Sequence, residues 1–312
     1  MAVGSEIDRV LILNPASGSG DHASEVRTLG VDHGFDVRET SGAGDAVELA
    51  YDAAERADLV AACGGDGTIN EVVTGLRAAG ALDDVELCVV PGGTGNNFAG
   101  NVGVESIEHA FEVVESGETR RLDLGLVETP TETAPPGPAS EWVFVNSCIC
   151  GLTAQASGET TTESKSQFGT LAYVVETLKQ AVEFDGLPLA VEPTGESGWS
   201  GDALVLLVGN ARRFPESGRT QANVEDGEFD VAVIEERPTV DLTGDAVRTR
   251  LFGGDAAHLR RLHAPSLTVS VQDGETGFSL DGEMLSAERV RLQTAPGALA
   301  VRVGDAYEPT PD

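Results

Sequence analysis

Leu59-Val60-Ala61-Ala62-Cys63-Gly64-Gly65-Asp66-Gly67-Thr68 is the stretch that decides the fold. Residues 59–63 are an apolar run that reads as a strand buried on both faces, the glycines as a tight turn, and residues 68–79 as a helix leaving that turn. The same order recurs on either side. Residues 10–13 form a short apolar strand, followed by Asn14-Pro15-Ala16-Ser17-Gly18-Ser19-Gly20 and a helical stretch over residues 21–33. Residues 87–90 form another strand, followed by Pro91-Gly92-Gly93-Thr94-Gly95-Asn96-Asn97-Phe98 and a helix over residues 106–115. Between them lie a strand over residues 35–38 and a helix over residues 45–57, with Ala46, Leu49, Ala50, Ala53 and Ala54 on one face. Short strands alternating with amphipathic helices predict a parallel sheet covered on both sides.

The pattern changes near Arg120. Strand-like runs follow at residues 142–148, 203–208, 229–234, 267–271 and 290–293, with helices expected only over residues 169–182 and 241–262. This predicts an α/β nucleotide-binding domain with a parallel sheet over residues 1–122, and a mainly antiparallel β-sandwich domain over residues 123–312. The last strand is free to return to the first domain. Residues 129–140, with Pro130, Pro135, Pro136 and Pro138, read as a mobile, non-catalytic loop between the first strands of the second domain.

The chain has 312 residues, enough for two cores, and a formal charge of -32 carried by 52 acids against 20 bases. Only Lys165 and Lys179 are lysines. The acids are spread among well-patterned apolar runs, which predicts a solvated acidic surface and a protein adapted to concentrated salt. At ~1 M salt the Debye length is only ~3 Å, so the self-repulsion of such a surface is screened. No basic stripe exists to neutralise phosphates, so nucleic acid is excluded as a partner. Cys63, Cys88, Cys148 and Cys150 lie in or at the ends of apolar runs without zinc or disulfide spacing, and are expected to be reduced core thiols. The five histidines form no metal motif. With neither a signal segment nor a membrane span in view, the expected location is cytoplasmic, with at most peripheral membrane contact.

Three glycine-rich turns after three parallel strands must share one edge of the sheet, where ligands bind. Missing side chains let backbone N–H groups approach an anion, and a helix N-terminus adds its partial positive charge. Thr68 and Thr94 add hydroxyl donors. The set points to a polyphosphate nucleotide, although there is no G-x-x-x-x-G-K-[ST] and neither lysine lies in the first domain. Phosphate charge must then be met by N–H groups, hydroxyls and a divalent cation, for which Asp66 is the natural acid.

These residues resemble a known family. GGDGTINEVVTGL (residues 64–76) and PGGTGNNFAGNVG (residues 91–103) are similar to the two signature loops of the diacylglycerol kinase catalytic domain, and NPASG (residues 14–18) to its first nucleotide loop. That family includes bacterial diacylglycerol kinases, sphingosine kinases and ceramide kinases. The resemblance continues through RRLDLG (residues 120–125), FVNSCICGL (144–152), FGTLAYVVETL (168–178), DGEFDVAVI (226–234) and LDGE (280–283). It implies a lipid kinase that takes ATP and Mg2+ and phosphorylates the hydroxyl of a diacylglycerol-like lipid. By that resemblance Asn14, Pro15, Ser17, Gly18, Gly64, Gly65, Gly67, Thr68, Asn70, Glu71, Gly93, Thr94 and Asn97 bind the nucleotide. Asp66 is catalytic and a magnesium ligand, Glu283 is the general base with Asp281 beside it, and Asp226 is a candidate structural metal ligand. Lipid entry is expected between the domains, and a homodimer is compatible with the family.

Two departures stand out. Relatives often carry Asp where this chain has Asn97, and residues 210–223 lack the consecutive glycines common there. Two rival readings remain open. An NAD kinase also carries GGDGT, but the turn at residues 91–98 and the late DGE favour the lipid kinases. A non-catalytic nucleotide- or lipid-binding regulator keeps the fold but has no need of both Asp66 and Glu283. On the charge reading, the thermal midpoint should rise between dilute buffer and molar KCl; a midpoint that does not move contradicts salt adaptation.

Overall fold

The computed structural model describes residues 8–130, 134–151, 186–214, 220–236 and 259–311. Two compact units result: residues 1–124, 134–143 and 296–310 make the first, and residues 125–133, 144–295 and 311–312 the second.

In the first unit the chain alternates as expected: β1 (Arg9–Leu13), α1 (Ala23–Asp32), β2 (Phe35–Glu39), α2 (Asp45–Ala53), β3 (Leu59–Gly64), α3 (Asp66–Ala78), β4 (Glu86–Pro91), α4 (Asn97–Asn101) and α5 (Ile107–Ser116). β5 (Glu118–Glu128) follows, and the end of β15 (Arg289–Val303) joins β4. The order β15-β4-β3-β1-β2 is parallel at every one of these pairs. β1 therefore has β2 on one side and β3 on the other, so the chain leaves it in one direction and returns on the opposite flank. Such a reversal opens a crevice at the carboxyl ends of the two strands. The register brings the ends level, with Leu13 opposite Cys63 and Gly64 opposite Pro91. The turns after β1, β3 and β4 hence start at one height.

β1, β3 and β4 are buried almost throughout, as continuous apolar strands between two helical layers must be. Helix α3 packs on two sides, which is why Thr68, Ile69, Asn70, Val72, Val73, Thr74, Gly75 and Leu76 are all buried. Gly75 sets the approach of α2: a Cβ there runs into the Val47 carbonyl oxygen and comes within 2.8 Å of the Ala50 Cβ. The proline-rich segment is not a free loop. Pro135 and Ala139 are buried, Pro136 faces Gly44, Gly137 faces Val47, and Glu141 pairs with Arg77 at 2.8 Å. Residues 134–143 are thus anchored on the first unit.

In the second unit, β6 (Trp142–Phe144, its first two residues in the first unit) and β7 (Ser147–Gly151) replace the single run expected over residues 142–148, broken at Val145-Asn146. β8 (Leu187–Pro193), β9 (Trp199–Gly209), β10 (Phe229–Glu235), β11 (Leu259–Ala264), β12 (Ser266–Val271), β13 (Thr276–Leu280) and β14 (Glu283–Ala287) complete it, with the first part of β15. The pairs β14-β13, β13-β7, β7-β9, β9-β8, β8-β12 and β12-β15 are antiparallel, and β10 lies between β9 and β11. Phe144 stacks on Phe229 at 5.4 Å, and Gly125 leaves room for the Phe144 ring. The expected helix over residues 241–262 is corrected at its end: residues 259–262 belong to β11, where Arg260 and Arg261 pair with Val233 and Ala232. The remainder of that helix and the one expected over residues 169–182 lie outside the described residues. No described helix is long and apolar enough to cross a membrane.

Gly75→Ala tests the helix packing. Alanine gains about 1 kcal/mol of helix propensity over glycine, but a fixed carbonyl in its path costs about 1–3 kcal/mol of overpacking. Backbone cannot rotate away, so the clash should win and the urea midpoint should fall.

Candidate active site

The three glycine turns are joined to one another by their own side chains. The Asn14 amide donates to the Thr68 hydroxyl at 3.0 Å, which links the turn after β1 to the start of α3. The Ser17 hydroxyl lies 3.0 Å from both the Asn14 and Gly92 carbonyls, reaching the turn after β4. Main-chain bonds from Asn14 N to Cys63 O (2.8 Å) and from Gly92 N to Gly64 O (3.0 Å) continue the ladder into the turns. His22, passed over in the sequence as a histidine without a metal motif, sits within 3.2 Å of the Asn14 carbonyl and 3.4 Å of Ser17 Oγ.

The glycines are needed where backbone meets backbone. A Cβ on Gly93 collides with the Gly65 Cα, and one on Gly18 stops 2.8 Å from the Gly92 oxygen. Gly18 also holds φ +58, a left-handed value that glycine adopts without strain.

Asp66 is the first residue of α3, whose N-cap Gly65 offers no side chain. Its carboxylate reaches across to α4: Oδ1 accepts from Phe98 N at 2.8 Å, and Oδ2 from Asn97 N at 3.2 Å and Asn97 Nδ2 at 2.9 Å. Asn96, in the left-handed region at φ 41, closes the same turn by accepting from Gly93 N (2.8 Å) and donating to Gly93 O (2.9 Å). Both asparagines of the GTGNN stretch are therefore engaged in holding the turn.

The other expected nucleotide residues divide. Pro15 is half-buried within its turn, Gly67 half-buried in the first turn of α3, and Thr94 exposed at the tip of its turn. Asn70 and Glu71 are placed away from the turns. Asn70 is 4% exposed and donates to the Val143 carbonyl at 2.9 Å. The Glu71 carboxylate accepts from Gly44 N and Ala46 N at 3.1 and 3.2 Å, at the N-terminus of α2. Neither contact was legible, since both depend on which segments pack beside α3. Asp123, 2% exposed, was also missed: its Oδ1 accepts from Gly297 N at 2.7 Å, within β15.

In the second unit, Asp281 and Gly282 form the two-residue turn between β13 and β14, and Glu283 opens β14 opposite Leu280. The two acids are used differently. Asp281 accepts from three successive backbone N–H groups, those of Val145 (2.6 Å), Asn146 (3.0 Å) and Ser147 (2.9 Å). Glu283 is half-buried, and among the described residues its carboxylate meets no hydrogen-bond or ion-pair partner. Asp226 Oδ1 accepts from Glu228 N at 3.0 Å in the turn before β10, and among the described residues no group of three or more potential ligands converges on a metal position. The four cysteines are buried and free. Burial pushes the thiols of Cys63, Cys88 and Cys150 up to about 12 and that of Cys148 well above the ordinary thiol value, so none is a nucleophile at neutral pH.

The Asp66–Asn97 bond makes a prediction about the departure at position 97. Asn97→Asp sets two carboxylates at the 2.9 Å now bridged by N–H···O, and should cost about 1–3 kcal/mol of stability in chelator-treated buffer. Added Mg2+ should recover part of the lost thermal midpoint in the variant and little in the parent.

Comparison with known proteins agrees with this architecture. The sequence matches the diacylglycerol kinase catalytic domain over residues 8–127 and the YegS C-terminal NAD kinase beta sandwich-like domain over residues 146–303. It is 30% identical over 313 aligned positions to the probable lipid kinase YegS-like of Enterobacter sp. (strain 638), covering 95% of this chain and 96% of that protein. It is 31% identical to the probable lipid kinase YegS of Salmonella typhimurium, covering 94% and 95%. In fold it is similar to a putative diacylglycerol kinase from Bacillus anthracis str. Sterne, with a TM-score of 0.76 at 21% identity over 99% of this chain and 100% of that one. Joined turns on a parallel sheet, a following antiparallel unit and full-length relatives at this identity agree: the chain belongs to the diacylglycerol kinase catalytic-domain family.

Proposed function

We propose that this protein transfers the γ-phosphoryl group of ATP to the hydroxyl of a diacylglycerol-like lipid. The observation that supports this best is the set of joined turns around the start of α3. The positive end of α4 is already taken by Asp66, whereas the N-cap of α3, Gly65, has no side chain to offer. A helix N-terminus with glycine at its N-cap, set among glycine turns, suits the phosphates of a nucleotide. Asn14, Ser17, Gly18, Gly65, Gly67, Thr68, Gly93 and Thr94 are assigned to that role, with Asn97 and Asp66 holding the turns together.

Magnesium on a triphosphate keeps most of its waters and takes only one or two carboxylates, so the single acid at these turns, Asp66, fits such an ion. When bound, it would neutralise charge on the β- and γ-phosphates. Asp66 is held in place by three N–H donors. Glu283, whose carboxylate has no partner among the described residues, serves as general base. As the lipid oxygen bonds to the γ-phosphorus, the bridging oxygen leaves with ADP and the hydroxyl proton passes to the Glu283 carboxylate. The lipid is met at a membrane surface, where the charge of -32 makes the encounter easier in high salt.

Incubation with γ-labelled ATP, lipid extract and NAD tests the reading. Label should enter the organic phase, and Glu283→Gln should lower turnover about 10²–10⁴-fold while the thermal midpoint is kept. Label in the dinucleotide instead would make the protein an NAD kinase; unchanged turnover in the Glu283→Gln protein would remove that residue from the mechanism.

A further inference from the structure

We infer that Asp281 is a positioning residue for Glu283, an inference that rests on Glu283 being the base. The turn that presents Glu283 is strained by type: Asp281 has φ 52 and Gly282 φ 108, so both central residues are left-handed. Tight hairpins of this hand favour Asn-Gly and Asp-Gly, and asparagine satisfies the backbone as well as aspartate does. Turn chemistry alone therefore does not call for a carboxylate at position 281.

What the carboxylate adds is the bond to the chain across from it. Three consecutive N–H groups, at Val145, Asn146 and Ser147, point at its two oxygens, at 2.6–3.0 Å for the shortest contact of each. Successive N–H groups of this kind form an anion cradle, and here the anion is the chain's own side chain. Asp281 N in turn donates to Ser147 O at 3.1 Å, which closes the contact from the hairpin side. The cradle itself is held from behind: Asn210 donates through Nδ2 to Val145 O (2.8 Å) and through its backbone N–H to Asn146 O (2.8 Å). The break between β6 and β7 now has a reason, because a regular strand would point those N–H groups alternately to opposite sides.

Glu283 follows Gly282 directly, and among the described residues its long side chain has no partner to fix it. Among those residues, only the backbone restricts where the carboxylate lies. A misplacement of about 1 Å at a catalytic group costs on the order of 10²-fold in rate. The cradle removes that freedom by fixing the hairpin tip to a framework of strands. Asp281 touches neither nucleotide nor lipid in this account; it acts through Glu283.

The experiment is a double-mutant cycle with Asp281→Asn and Glu283→Gln. Asparagine keeps the left-handed turn but turns an NH2 group or a single oxygen toward three N–H donors. In the parent, Asp281→Asn should lower kcat about 10–100-fold and leave KM for ATP within about twofold. In the Glu283→Gln background the same change should alter kcat by less than about twofold, since the group it positions is already gone. Equal losses in both backgrounds, or full turnover of Asp281→Asn, would overturn the inference while leaving Glu283 as base. Full turnover of Glu283→Gln would sink the base assignment itself. Should Asp281→Asn fail to fold, Asp281→Gly replaces it in the cycle: glycine takes the left-handed turn without strain and removes the cradle contact, and the same dependence on Glu283 is expected.

Discussion

Everything at the nucleotide edge depends on the Asp66 carboxylate being shared between two helices. It begins α3 and caps α4, so one side chain fixes the distance between the turn after β3 and the turn after β4. Charge-assisted bonds of this kind are each worth about 1.5–3 kcal/mol. Three on one carboxylate outweigh the entropy of holding a short glycine turn. The edge is therefore set by the polypeptide itself, with Asn14–Thr68 and Ser17–Gly92 fixing the third turn to the same frame.

This changes what the glycines mean. From sequence they read as gaps through which N–H groups approach phosphate. In the fold, Gly93 and Gly65, and Gly18 and Gly92, are small because they touch each other. The two explanations are compatible, since turns must pack closely before their N–H groups converge. They differ in what substitution does: a side chain at Gly93 disturbs the turns before any ligand arrives.

The sheet was legible because its signals are local. Apolar runs of fixed length ended by glycine allow little else, and β1, β3 and β4 fall within a residue of where the pattern puts them. Asp66 was read as part of the glycine turn before a helix from residue 68, and the structure makes it the first residue of α3. What the pattern missed depends on long-range pairing. Asn70 holds a carbonyl 73 residues away, Asp123 an N–H 174 residues away, and Asp281 a cradle some 134–136 residues away. No window of sequence contains both partners. The helical reading of residues 259–262 failed for a related reason, because Arg260 and Arg261 are strand residues only through their pairing with β10. The proline-rich segment read as mobile because prolines break regular structure, but breaking a helix is not the same as leaving the surface.

The proposed chemistry is shared between a carboxylate locked by its neighbours and another that has no partner among the described residues. Asp66 and Asp281 hold backbone in place; Glu283 is the acid we propose takes the proton. The claim beneath all of this is that the turns are built before ATP arrives. Residue-resolved amide hydrogen exchange on the nucleotide-free protein tests it most directly. The N–H groups of Asn97 and Phe98, both bound to Asp66, should exchange far more slowly than those of an open loop, with little further slowing on adding ATP and Mg2+. Exchange as fast as in an unstructured peptide until nucleotide is added would show that the ligand, and not Asp66, builds the site.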